Sequence, residues 1–277
     1  SKEVTDRKCT ILKIPPYFFI GKFQLMGSIP RKTVLITGGS RGIGAATAIL
    51  AAQSGYNVCF SYLQNSSAAN AIVAKIENIG GHALAVKANI ASEADILTLF
   101  TVCDERFGTL HALVNNAGVL EHQMRLETMS FQRLQHVMNV NVIGTMLGAQ
   151  QAVLRMSTKR GGAGGVIVNV SSVASRLGSA NTYVDYSASK GAINTFTVGL
   201  AQEVAAEGIR VNAVLPGIID TEIHASGGVP DRVSKIGPTL PMGRAGTAQE
   251  VANAIIWLLS EQASYVSGAL LEVSGAR

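Results

Sequence analysis

Charge is scarce in this chain. Asp, Glu, Lys and Arg make up 15% of 277 residues while 47% are hydrophobic, a balance that suits a well-buried core and extensive subunit contacts. Cysteine is scarcer still: Cys9, Cys59 and Cys103 are odd in number and far apart, which excludes a disulfide framework and a zinc site. Cys59 and Cys103 read as small core residues in a reducing compartment. The five histidines, His82, His111, His122, His136 and His224, show no ligand spacing, so a metal is not expected. No apolar run reaches the ~20 residues of a membrane span, so a soluble protein with no membrane partner is expected. The net charge of +5 is scattered rather than clustered. Nucleic acid is therefore not an expected partner, although a basic surface suits a phosphate-bearing ligand.

What is present begins at Thr33. Residues 1–30 differ in pattern from the rest of the chain: Ser1 to Lys32 is basic, and its apolar patch from Ile14 to Phe23 is broken by Pro15-Pro16. A signal peptide needs an uninterrupted apolar core and a small-residue cleavage site, and the segment has neither. It reads as an N-terminal extension or leader, with Met26 available as a start. From residue 31 onward no repeat or linker interrupts the chain, and a single domain over 31–277 is expected.

Within that domain strand and helix patterns alternate. Thr33–Thr37 is a short apolar strand, followed by Gly38-Gly39-Ser40-Arg41-Gly42-Ile43-Gly44 and a helix over Ala45–Ser54. Strand, glycine turn and helix form the phosphate-cradling unit of a dinucleotide fold, because glycines let the backbone approach a pyrophosphate and the helix start offers free N–H groups. Further strands are predicted at Tyr56–Tyr62, Ala83–Ala88, His111–Val114, Val166–Val170, Arg210–Leu215 and Ala269–Val273. Helices are predicted at Ser66–Ile79, from an N-cap at Ser92 through Phe107, over Glu127–Ser157 as one helix or two, at Tyr186–Glu207 and at Thr247–Ser260. Near-continuous apolar strands imply a parallel sheet covered on both faces, so the expected fold is α/β: a Rossmann-type doubly wound parallel sheet of seven strands with helices on both faces. Ile218–Pro241 is rich in Gly and Pro and long for a loop, as lids often are.

In such a sheet ligands sit outside the carboxyl ends of the strands. The glycine turn, Asn89, Asn116-Ala117-Gly118, Ser172 and Pro216-Gly217 all fall there. Tyr186 and Lys190 lie four apart on one helical face, and an ammonium beside a phenol favours the phenolate. Tyr186 is thus a candidate proton donor or acceptor.

Thr37-Gly38-x-x-x-Gly42-x-Gly44, Asn115-Asn116-Ala117-Gly118, Ser172, Tyr186-x-x-x-Lys190 and Pro216-Gly217 resemble the short-chain dehydrogenase/reductase family, in its order and spacing from Thr33 onward. The chain is similar to members of the glucose or ribitol dehydrogenase type and of the 3-oxoacyl-carrier-protein reductase type. The resemblance implies a catalytic tetrad of Asn141, Ser172, Tyr186 and Lys190. Asn141 is preferred to Asn139 because Asn141-Val142-Ile143-Gly144 matches the family's Asn-hydrophobic-x-Gly context, and Ser172 is preferred to Ser171. In the implied roles Ser172 holds the substrate oxygen, Tyr186 is the acid/base, Lys190 lowers the tyrosine pKa and binds the nicotinamide ribose, and Asn141 orients a proton-relay water. Cofactor contacts are implied at Gly38, Ser40, Arg41, Gly42, Ile43, Gly44, Ser61, Asn89, Ile90, Asn116, Ala117, Gly118, Tyr186, Lys190, Pro216, Gly217, Ile219 and Thr221. The family also implies a homotetramer, with a homodimer as the alternative, in the cytoplasm.

NADP(H) is expected over NAD(H). Ser61-Tyr62-Leu63-Gln64-Asn65 lacks the acid that bonds a ribose 2′-OH, and Arg41 adds a cation where a 2′-phosphate would lie. The substrate is expected to be a small carbonyl compound or alcohol. The lid and the Val119–Thr128 loop offer His122, Arg125, Glu222, His224, Arg232 and Lys235, none singled out by its spacing. The alternatives on the same fold are a non-catalytic NADP(H) sensor and a dehydratase or epimerase.

Overall fold

Alternation along the first strand sets the layers. Val34 and Ile36 face one side of the sheet and Leu35 the other, and all three are fully buried, as strands covered on both faces require. The structure is a computed structural model that describes residues 31–223 and 227–277. The reading of 1–30 as an extension, Cys9 and the lid residue His224 lie outside the described residues.

In chain order the elements are β1 (Thr33–Ile36), α1 (Gly42–Gln53), β2 (Asn57–Tyr62), α2 (Ser66–Asn78), β3 (His82–Lys87), α3 (Glu93–Phe107), β4 (Ala112–Asn115), α4 (Phe131–Met138), α5 (Gly144–Met156), β5 (Gly165–Val170), α6 (Ala174–Leu177), α7 (Val184–Val204) and β6 (Ile209–Pro216). After them come β7 (Ile219–Asp220), a short helix Arg232–Ile236, β8 (Gly246–Thr247), a helix Ala248–Leu259 and β9 (Leu270–Val273). The main sheet runs β3-β2-β1-β4-β5-β6-β9 and every pairing in it is parallel. Strand order reverses between β1 and β4, the crevice where a doubly wound sheet takes its ligand. This is the expected seven-stranded Rossmann-type sheet.

One face packs α1, α2 and the Ala248–Leu259 helix through Ala48, Ala51, Ile72, Ile76, Val251 and Ile255. The other packs α3, α5 and α7 through Leu99, Phe100, Ala149, Met156 and Val204. Cys59 and Cys103, distant in sequence, meet in this second core. The two thiols are free, and a hydrogen bond donated by Cys59 to Cys103, together with burial, pushes the Cys59 thiol well up. Among the described residues no cluster of three His, Cys, Asp or Glu could hold a metal, and no helix is long and apolar enough to cross a membrane.

One open alternative is resolved, and two unexpected features appear. The Glu127–Ser157 stretch is two helices joined by a π turn at Asn139–Ile143. The lid region contains the Arg232–Ile236 helix, and a two-residue parallel ribbon, β7 with β8, fastens Ile219-Asp220 to Gly246-Thr247. A four-residue helix, α6, follows Ser172. Elements this short carry too few residues to show a period.

Candidate active site

The glycine turn is held from three sides. Gly38 N donates to Ser61 Oγ at 3.0 Å and Gly39 N to Ser61 O at 2.9 Å, tying the turn to the end of β2. Asn116 Nδ2 donates to Thr37 O and Gly38 O, both at 2.9 Å, tying it to the end of β4. Thr37 Oγ1 accepts from the backbone N–H groups of Asn116 and Ala117, each at 3.0 Å. Gly38 has φ +69°, a conformation L side chains rarely adopt, and a Cβ on Gly44 would meet Gly38 O at 2.2 Å. The start of α1 therefore lies directly against the turn. Side chains cap α2 (Asn65), α3 (Ser92) and the Ala248–Leu259 helix (Thr247), but none caps α1, whose first turn carries no acid. Its N–H groups remain available to an anion.

At the other end, Lys190 is buried on α7 and its ammonium donates to Val170 O at the end of β5, 2.8 Å away. It lies 5.6 Å from the centroid of the Tyr186 ring. Burial pulls the Lys190 pKa down to about 8, which leaves the group mainly charged at neutral pH. Burial pushes the Tyr186 phenol up to about 12, and a hydrogen bond with Ser172 pulls it partly back. The spacing predicts that Lys190 lowers this phenol; burial raises it instead, and the neighbour that opposes the rise is Ser172. Ser171 and Ser172 point apart: the Ser171 hydroxyl faces inward, within hydrogen-bond reach of Asn194 Oδ1 (2.6 Å) and Lys190 O (3.1 Å), whereas Ser172 lines the cleft.

Asn141 sits in the π turn and is fully buried. Its Oδ1 accepts from Val119 N at 2.8 Å, and its Nδ2 donates to Val119 O at 3.1 Å and to Ser189 Oγ at 3.0 Å. The side-chain amide is thus committed to fixing the loop after β4 and to α7. Asn139, the rejected alternative, is exposed. A buried ion pair reinforces the same junction: Arg133 Nε on α4 donates to Asp185 Oδ2 on α7 at 2.7 Å, and its Nη2 to Oδ1 at 3.3 Å. Asp185 immediately precedes Tyr186. Nothing in the sequence announces this bolt, because the partners are 52 positions apart and lie in no motif.

A cavity of about 810 Å³ joins the two ends. Of the residues expected at the site, Gly38, Ser40, Arg41, Gly42, Ile43, Ser61, Asn89, Ile90, Asn116, Ala117, Gly118, Ser172, Tyr186, Lys190, Pro216, Gly217, Ile219 and Thr221 line it. Gly44 and Asn141 stand behind the wall. Several lining residues serve as scaffold. The Ser61 hydroxyl and the Asn116 amide are spent on the glycine turn, and Asn89 Oδ1 accepts from Ala91 N at 3.0 Å. Of the loop candidates, Glu222 and Arg232 reach the cavity. His122 contributes its carbonyl to Arg133, while Arg125 and Lys235 form exposed ion pairs with Glu127 and Asp231. Tyr62, Leu63, Leu120, Tyr183 and Arg277 also line the cavity and were not anticipated. Among the described residues the lining includes Arg41, Lys190, Arg232 and Arg277 against a single side-chain carboxylate, Glu222. A cleft with an uncapped helix start, a glycine-rich turn and this cation excess fits a dinucleotide carrying phosphates.

A family model described as enoyl-(acyl carrier protein) reductase matches residues 38–275. Among similar proteins, an uncharacterized oxidoreductase, YgfF, of Escherichia coli is 53% identical over 88% of this chain and 98% of its own length. Glucose 1-dehydrogenase 2 of Bacillus subtilis is 39% identical over 88% of this chain and 93% of its own. A short-chain dehydrogenase from Burkholderia cenocepacia, solved in complex with NADP, superposes with a TM-score of 0.80 at 30% identity, covering 88% of this chain and 96% of that one.

Proposed function

The chain belongs to the short-chain dehydrogenase/reductase family of oxidoreductases, and from that premise we propose that it is an NADP(H)-dependent carbonyl reductase or alcohol dehydrogenase acting on a small substrate. The observation that carries this reading is the continuity of one cavity from the uncapped start of α1 to Ser172, Tyr186 and Lys190.

The nicotinamide, when bound, supplies or accepts the hydride. The protein's part is proton handling. Ser172 holds the substrate oxygen by a hydrogen bond that strengthens as charge develops there. Tyr186 delivers its phenolic proton to that oxygen in reduction and removes it in oxidation. A phenol near 12 keeps its proton at neutral pH, the form that reduction requires. The Lys190 charge, 5.6 Å from the ring centroid, stabilises the phenolate left behind. Asn141 Nδ2 is committed to Val119 O and Ser189 Oγ, so Asn141 would meet a relay water through an oxygen, as an acceptor.

Gly38, Gly42, Ile43 and the first N–H groups of α1 would cradle the pyrophosphate, while Asn89 and Ile90 would flank the adenine. Ala117, Gly118, Pro216, Gly217, Ile219 and Thr221 would line the nicotinamide half. NADP(H) is preferred because Tyr62 and Leu63, not a carboxylate, line the cleft at the end of β2, and Ser40 and Arg41 line the same cavity. A relative named as a glucose dehydrogenase supports a sugar or polyol as one substrate class, and ketones and 3-oxoacyl groups are the others. Homotetramer assembly and a cytoplasmic location follow the family expectation, and the free, buried Cys59 and Cys103 suit a reducing compartment. The test is to follow NADPH consumption and NADP⁺ reduction with sugars, polyols, ketones and 3-oxoacyl thioesters. Carbonyl-dependent NADPH oxidation is expected; dinucleotide binding without turnover on any class would favour a sensor.

A further inference from the structure

We propose that the substrate carries an anionic group, a carboxylate or phosphate, held by the paired guanidinium groups of Arg232 and Arg277 at the Ser172 end of the cavity. This rests on the carbonyl-reductase reading and names its substrate class.

Arg277 Nη1 is buried and has no hydrogen-bond partner. A buried, unsatisfied guanidinium nitrogen is costly, and such groups are normally matched. Five other arginines pair with carboxylates, Arg125 with Glu127, Arg133 with Asp185, Arg155 with Asp104, Arg176 with Glu272 and Arg244 with Glu250, and the part-buried Arg210 donates to the carbonyls of Val266 and Ser260. Among the described residues neither Arg232 nor Arg277 has an ion pair, and both line the cavity. Burial, and then the Arg232 charge, hold Arg277 below the usual arginine range, so the two cations feel each other. Two like-charged side chains facing one cleft, with no side-chain ion pair among the described residues, form a site that an anion completes.

Their placement separates this site from the phosphate cradle. The Arg232 guanidinium lies 5.4 Å from the centroid of the Tyr183 ring, and Tyr183 sits one helical turn before Tyr186. Arg277 follows β9, and its main-chain oxygen accepts from Arg176 Nη2 at 2.8 Å. Arg176 belongs to α6, directly after Ser172. The Glu222 carboxylate lies toward the other end, with Oε2 3.7 Å from the position a Cβ on Gly42 would take. An anion on the substrate would therefore be gripped beyond the reacting carbonyl, on the side away from the dinucleotide phosphates. Guanidinium forks suit planar carboxylates and phosphates. A sugar hydroxyl can accept from Arg277 Nη1 but leaves the two positive charges uncompensated.

The test uses matched pairs with NADPH: a keto acid against its methyl ester, and a ketose phosphate against the free ketose. The anionic member is expected to have a kcat/KM roughly tenfold or more higher, mostly through KM. Arg232→Gln and Arg277→Gln should each pull that ratio toward one, and whichever pair shows the larger ratio identifies carboxylate or phosphate. A neutral member used as well as its anionic partner, or ratios unchanged in both variants, would overturn the proposal. Calorimetry of inorganic phosphate and of succinate, each titrated into NADP⁺-saturated protein, gives a readout independent of turnover. Saturable binding that weakens in Arg277→Gln is expected. No binding while neutral ketones are reduced would sink the anion site alone; binding with no carbonyl compound reduced would sink the reductase reading and leave the site standing.

Discussion

Tyr186 and Lys190 are displaced in opposite directions by one cause: burial favours the neutral form of each. For Lys190 the consequence can be measured. Its pKa is about 8 when folded against 10.5 for the ordinary side chain, so between those values the unfolded chain binds a proton that the folded chain does not. Stability of the cofactor-free protein should therefore rise with pH across that window, recovering a burial cost on the order of 3 kcal/mol that applies in full below pH 8. Urea unfolding at a series of pH values should show a Lys190→Met variant with a shallower rise than the parent; parallel profiles would contradict this. At Arg41, replacement by alanine should narrow the ratio of NADPH to NADH affinity, read by fluorescence titration, and equal affinities in the parent would remove the cofactor preference. These residues were legible because motifs mark them. Arg277 was not, because its meaning lies in what surrounds its guanidinium, and no spacing in the sequence encodes that.

At the scale of elements, the π turn at Asn139–Ile143 and the Arg133–Asp185 pair do one job: they set α4 and α5 against α7 so that Val119, Asn141 and Tyr186 keep register. Removing one partner of a buried pair strands the other charge. Arg133→Ala should lower stability by about 3–5 kcal/mol, and replacing Asp185 by Asn in that background should recover part of it, both measured by thermal or urea unfolding. A loss below about 1 kcal/mol would show the pair to be solvated. The apolar pattern of Glu127–Ser157 left one helix or two open, because a π turn adds a residue without breaking the run of buried side chains. The ribbon of β7 with β8 was illegible for another reason: two residues have no period, and the pairing partner lies beyond the lid.

For the whole molecule, parallel strand order brings every motif to one edge of the sheet, and this much is dictated by alternating strands and helices alone. The α4–α5 surface exposes Met138, Ile143, Met146 and Leu154, apolar area that a tetramer would cover. Light scattering should return the mass of a tetramer; a monomer at micromolar concentration would rule that assembly out. The function proposed for the molecule rests on proton delivery by Tyr186 beside a bound NADP(H). It is tested most directly by single-turnover NADPH oxidation in Tyr186→Phe, using the best carbonyl substrate of the parent. Phenylalanine keeps the ring and loses the hydroxyl, so NADPH affinity should stay within a few-fold of the parent while the rate falls by ~10²–10⁴ or more. A variant that binds NADPH and oxidises it at the parent's rate would show that Tyr186 is not the acid.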